Sequence, residues 1–190
     1  MNDLARTLGA LWRRGDPNDE RELQEEVLAV RRRVLGEEHR DTLTTMNDLA
    51  RTLLDLERPS DARELQEQVL EIMRRVLGEG HPDTLTAMTD LARTLWVQRE
   101  LYGAEQLQEH VLEVSEQVLG EEHPHTLVAM NNLAGTYFEL GNLRRARLFL
   151  EEVLEVTRRV LGEEHPHTLA AMNNLVAIEH AESQLFTAYD

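Results

Sequence analysis

Between Pro82 and Gly120 the apolar residues fall into two runs of helical spacing. Leu85, Met88, Leu91, Ala92 and Leu95 recur every three or four residues, which places them on one stripe of an α-helix. After a break around Trp96 to Gly103, the residues Ala104, Leu107, Val111, Leu112, Val114 and Val118 repeat that spacing. Pro82 suits the first turn of a helix, where its missing N–H costs nothing. Gly103 is expected to open the second helix. Gly120, just past the last periodic residue, suits a left-handed C-terminal cap. The pattern predicts a helix, a turn and a second helix.

The unit recurs. VLGEEHRDTL at 34–43, VLGEGHPDTL at 76–85, VLGEEHPHTL at 118–127 and VLGEEHPHTL at 160–169 set Gly36, Gly78, Gly120 and Gly162 at intervals of 42 residues. A fixed period of this length marks an array in which each unit buries its apolar face against its neighbours. Turns are expected at Arg58-Pro-Ser-Asp61 and at Gly141-Asn142, both rich in turn formers. The first repeat is degenerate: Met1–Leu8 matches Met46–Leu53 at a spacing of 45, whereas Glu22–Leu28 matches Glu64–Leu70 at 42. The extra residues fall around Gly15–Asn18, and Glu20 stands where the other repeats have Ala62, Ala104 and Ala146. Pro166 to about Leu185 reads as one more first-type helix capping the array. The expectation is an all-α chain of nine helices, in one repeat domain spanning residues 1–190. Its repeats run over about 1–36, 37–78, 79–120 and 121–162, with a capping helix over about 166–185.

Composition narrows the function. Aromatic residues make up only 4% of the chain, so the interfaces between helices are aliphatic. The formal charge of −16 disfavours nucleic acid and anionic membrane surfaces as partners, because gripping phosphates needs a basic face. There is no cysteine, and all 20 basic residues are arginine. Disulfide frameworks, thiol chemistry and every mechanism that uses a lysine are therefore excluded. No apolar run reaches membrane-span length, and the opening MNDLARTLGALWRRGD has no signal-peptide pattern, so a cytoplasmic protein is expected.

Several motifs resemble chemistry but have simpler readings. His123-Pro-His125 and His165-Pro-His167 lie among glutamates, a conceivable metal site. However, Asp41 and Asp83 replace the second histidine earlier in the chain. His39, His81, His123 and His165 recur before every first helix, which points to capping or packing. Arg31-Arg-Arg33, Arg74-Arg75 and Arg158-Arg159 fall in the last turns of second helices, where cations suit the negative end of the dipole. Paired carboxylates carry no catalytic information in a chain with 36 acidic residues. Ser60, Ser115 and Ser183, the only serines, sit in no nucleophile-elbow pattern. No enzyme, cofactor or metal is expected.

The 42-residue period, with Leu133-Ala134, Tyr137, Gly141 and Ala146, resembles tetratricopeptide repeats of the longer variety. The pattern L-G-x-x-H-P-x-T-L…N-N-L-A is similar to kinesin light chain repeats. It is equally like the arrays attached to bacterial and fungal nucleotide-switch (NB-ARC-type) ATPases, although no G-x-x-x-x-G-K phosphate loop occurs in this chain. The resemblance implies a right-handed superhelical solenoid with first helices lining the concave side.

Next to the packed stripe Leu43, Met46, Ala50, Leu53, residues 47, 51 and 54 share the adjacent helix face. Across the repeats that face reads Asn2, Arg6, Gly9; Asn47, Arg51, Leu54; Thr89, Arg93, Trp96; Asn131, Gly135, Phe138; and Asn173, Ala177, His180. The resemblance turns these positions toward the groove. Asn47, Asn131 and Asn173 offer both a donor and an acceptor to an extended backbone. Arg51 and Arg93 would select acidic flanks, and Trp96 and Phe138 would give apolar surface for anchor side chains. The expected function is a scaffold or adaptor that holds an extended protein or peptide segment. The alternatives are a module that dimerises through its terminal helices and the sensor piece of a larger NB-ARC-type switch protein.

Overall fold

The computed structural model describes residues 17–187, with side-chain surroundings through residue 184. The helix expected at the start of the chain, with Asn2, Arg6 and Gly9, lies outside the described residues. The rest is all-α: α1 (Pro17–Leu35), α2 (Arg40–Asp55), α3 (Pro59–Leu77), α4 (Pro82–Val97), α5 (Leu101–Leu119), α6 (Pro124–Glu139), α7 (Leu143–Leu161) and α8 (Pro166–Thr187). These eight helices form two compact units, divided between residues 98 and 99. In the first unit α1 packs on α2, α2 on α3 and α3 on α4; in the second α5 packs on α6, α6 on α7 and α7 on α8. Helices that touch mainly their chain neighbours are what a repeat array requires.

Most of the periodic apolar residues form the interior, but Val118 at the end of the predicted second-helix stripe is 55% exposed, and Leu107 and Val114 are half-buried. Leu43, Met46, Ala50 and Leu53 of α2 are buried, as are Leu85, Met88, Ala92 and Leu95 of α4 and Leu127, Met130 and Ala134 of α6. From the second helices come Val69 and Leu70, Val111 and Leu112, and Val153 and Leu154. One correction concerns the turns within a pair. Helix α5 begins at Leu101, ahead of Gly103, because Arg99 (φ 63°) reverses the chain. Glu57 (φ 57°) and Gly141 (φ 76°) do the same at the matching positions. Two of the three turns thus hold a non-glycine residue in the left-handed region, which glycine cues in a sequence do not mark.

The four-fold motif is a compact joint. Gly78, Gly120 and Gly162 cap α3, α5 and α7 with φ of 87°, 93° and 92° and ψ of 164°, 161° and 167°. This differs from the left-handed cap expected from the sequence: φ is positive but ψ is extended, a region nearly confined to glycine. The glycine carbonyl then accepts from the histidine N–H three residues on, as His123 N–H does to Gly120 at 3.3 Å. The Thr126 hydroxyl donates to the same oxygen at 2.7 Å, Thr42 to Gly36 and Thr168 to Gly162 at 2.8 Å. Thr84 is the exception, its buried hydroxyl having no partner.

The recurrent histidine is a helix N-cap. Nδ1 of His39, His81, His123 and His165 accepts the backbone N–H two residues on, at 3.1–3.2 Å. It thereby satisfies a donor that the helix start leaves open. The rings of His123 and His125 lie 5.7 Å apart and nearly parallel, and those of His165 and His167 5.2 Å apart.

Gly120→Ala should cost about 1.5 kcal/mol, because the backbone there disfavours any side chain. A methyl group itself would meet nothing within 4 Å. Gly135→Ala is the control: it lies within α6 at ordinary helical dihedrals with equally open space, so it should stabilise by roughly 0.5–1 kcal/mol. Urea unfolding of both variants checks the opposite signs.

Polar links also join successive repeats. Arg75 at the end of α3 bonds Glu38 at 2.8 Å, and Arg159 at the end of α7 bonds Glu122 at 2.7 Å. The guanidinium beside it holds the Glu122 carboxyl below the usual carboxylate range. Arg75 and Arg159 are therefore cross-links between repeats as well as dipole-matched charges, whereas Arg74 and Arg158 pair with Glu79 and Glu163 just past their own helices. In α5, Glu116 takes the place of Arg74 and Arg158; burial and then the neighbouring Glu121, Glu152 and Glu113 push its carboxyl up.

Candidate partner-binding faces

The residues singled out in the sequence lie on the first helices α2, α4, α6 and α8, and they differ in how much of their bonding capacity is already used. In the first unit, Arg51 of α2 bonds Asp90 of α4 at 2.8 Å and lies 3.8 Å from Asp48. The Asp90 carboxylate is only 14% exposed. Arg51 is thus committed to bridging α2 and α4 rather than presenting an unpaired charge. The expectation of a guanidinium ready for an acidic flank fits Arg93 better, which is exposed and has no ion pair among the described residues. Asn47 is half-buried, and its Oδ1 is sheltered without a hydrogen-bond partner. Trp96, in the last turn of α4, is half-buried.

In the second unit, Asn131 of α6 accepts from Asn174 Nδ2 of α8 at 3.0 Å. That bond uses one Asn131 lone pair and leaves its amide hydrogens available. Asn173 is exposed, and Phe138, near the end of α6, is half-buried. Gly135 and Ala177 stand where the first unit has Arg51 and Arg93, so this face is less charged. The two bridges, Arg51 to Asp90 and Asn131 to Asn174, both reach residues one place beyond the asparagine row of the next first helix. The sequence carried that signal as Asp48, Asp90, Asn132 and Asn174 at a spacing of 42, but nothing in a single repeat identifies it as a bridge.

Away from this face, Tyr137 is buried, donates to Glu109 at 2.7 Å and accepts from Arg145 at 3.3 Å. Burial first, and then the Glu109 carboxylate, push its hydroxyl up to about 12 from 10.0, against an opposing effect of Arg145. The folded protein therefore keeps the phenol proton past the pH at which the unfolded chain releases it. Stability should fall as pH rises from about 10 toward 12, by up to ~1.4 kcal/mol per pH unit. Denaturation series at those pH values check this, and Tyr137→Phe should flatten the slope.

Among the described residues no three potential ligands from histidine, cysteine, aspartate and glutamate converge on a metal-sized site, and no helix is long and apolar enough to cross a membrane. At the positions singled out on the first helices the chemistry is that of asparagine, arginine and partly covered aromatic rings.

Comparison with known proteins gives this geometry a family. The tetratricopeptide repeat model matches four times, over residues 1–41, 42–83, 84–125 and 126–167. The crystal structure of a Podospora anserina putative kinesin light chain with nearly identical TPR-like repeats is 30% identical, with a TM-score of 0.78 over 98% of this chain and 87% of that one. BtubC (BKLC) from P. vanneervenii is 24% identical with a TM-score of 0.77, covering 89% of this chain and 67% of its own. The apo form of RapI, 15% identical over 96% of this chain and 64% of its own, has a TM-score of 0.77 and bears on the fold alone. No curated protein matches the sequence. Four consecutive matches over residues 1–167 show that the chain belongs to the tetratricopeptide repeat family.

Proposed function

We propose that this chain is a non-enzymatic protein-binding module that holds an extended segment of a partner along a first-helix face, formed in the first unit by Asn47, Arg93 and Trp96 and, separately, in the second unit by Asn131, Phe138 and Asn173. The observation that carries the reading is the unused bonding capacity on these faces. Arg93 and Asn173 are exposed with no hydrogen bond or ion pair among the described residues, and Asn131 keeps its amide hydrogens. Asparagine suits an extended backbone because it donates and accepts at once, and Arg93 favours an acidic residue beside it. Family membership supports a protein partner, since such arrays are interaction modules.

Affinity capture from host lysate tests the reading, with Arg93→Glu/Asn173→Ala beside wild type. Arg51 is left unchanged, because a glutamate there would face Asp48 and Asp90 and confound binding with folding. A partner held by wild type and lost by the folded variant supports the groove; identical recoveries reject it.

A second reading rests on α8. Leu169 is 45% and Val176 62% exposed, whereas their counterparts Leu127 and Ala134 are buried. Self-association through this helix would cover them. A solution mass independent of concentration would exclude it.

A further inference from the structure

We propose that the second unit contains a built anchor pocket, which receives one large apolar side chain from the extended segment; the inference rests on the binding reading above. A cavity of about 220 Å³ lies between α6 and α8, with α7 beneath it. Val153 and Thr157, both buried, form its floor with Leu161. Leu127 and Val128 of α6 and Ala170 of α8 form its walls. Besides Thr157 in the floor, the polar lining is Asn131, half-buried, and His167, exposed.

The sequence explains why the cavity is here. Position 157 holds threonine, where the first unit has the larger Met73, which is buried. The wall positions Val128 and Ala170 are Thr44 and Thr86 in that unit. Two threonines have become apolar and a methionine has become short, at the three positions that decide depth and polarity. The Thr157 hydroxyl bonds Val153 and Leu154 carbonyls within its own helix, so it does not demand a polar occupant.

The occupant follows from size and rim. A dry apolar cavity of about 150 Å³ accepts benzene, so this space takes a ring or a large branched chain. Its walls have no charge to pair with a charged ligand head. At the mouth Asn131 spends its oxygen on Asn174 and keeps its amide hydrogens for a backbone carbonyl of the segment whose side chain enters. An apolar side chain on a peptide satisfies both requirements.

A random peptide library panned on the wild-type chain tests this, with enriched peptides measured against variants by fluorescence polarisation. Thr157→Met copies Met73 and should fill the cavity. Enriched peptides should share one large apolar residue, and its change to alanine should weaken binding about tenfold or more. Thr157→Met should weaken the parent peptide to a similar extent; Ala170→Leu, filling from the other wall, replaces it if Thr157→Met lowers the melting temperature. If the peptides bind wild type and the filled variant equally but lose affinity for Asn131→Ala, the pocket is refuted and the binding face stands. If no peptide is enriched, or those enriched ignore Asn131→Ala, Asn173→Ala and Arg93→Glu alike, the face itself is refuted and the pocket with it.

Discussion

Ala146→Leu is expected to destabilise the second unit by about 3 kcal/mol, the upper part of the usual range for forcing added bulk into a packed interior. The Ala146 side chain is fully buried on α7, as Ala62 and Ala104 are at the same register on α3 and α5. A leucine needs space that a closely packed helix pair does not have, so either the side chain leaves its rotamer or α6 and α7 move apart. In an array, loss at one interface removes support from the next, so α8 should loosen along with α7. Urea unfolding followed by circular dichroism measures the loss, and hydrogen exchange should place it in α6 to α8. Glu20→Ala is the companion. Glu20 occupies the same register position on α1 but is exposed, and among the described residues it bonds only Gln24, one turn on. Alanine there should change stability by less than about 0.5 kcal/mol. Equal effects at the two positions would mean that the register placing them in the same role is wrong.

The contrast shows which parts of the molecule are readable from a single sequence. The described helices, their pairing and most of the core were visible because burial imposes a 3.6-residue period and the array repeats it. The capping histidine and the glycine cap were visible as positions, since a residue that recurs at every joint is serving the joint. What stayed hidden was contact between different repeats. Arg75 to Glu38, Arg159 to Glu122 and Arg51 to Asp90 are 37, 37 and 39 residues apart, close to one period but offset from it. Such offsets depend on how one hairpin tilts against the next, and local periodicity does not carry that angle. The committed state of Arg51 was hidden likewise, because its partner is on another helix. The pocket was obscured for the opposite reason: Thr157, Val128 and Ala170 attract no notice as residue types and matter only by what they replace.

The buried polar pairs extend this argument to a measurable coupling. Gln66 and Thr94 are almost wholly buried, and the threonine hydroxyl donates to the glutamine Oε1 at 2.6 Å; Thr136 donates to Gln108 in the same way. One repeat later the corresponding residues are Leu150 and Ile178, both buried and both apolar. The fold thus contains its own evidence that an aliphatic pair fits the site. Thr94→Ile alone should cost about 3 kcal/mol, because it strands the Gln66 carbonyl beside an amide nitrogen that already has no partner. Gln66→Leu alone should cost about 1 kcal/mol, since the Thr94 hydroxyl retains its weaker bond to the Asp90 carbonyl at 3.2 Å. The double change should be neutral or stabilising by roughly 1 kcal/mol, because it removes both polar groups together and with them the stranded amide. A four-point cycle of urea unfolding reads the coupling directly. Additive losses in the double variant would show that the glutamine and threonine stabilise their helices separately, and that the aliphatic pair in the last repeat depends on some other adjustment around α7 and α8.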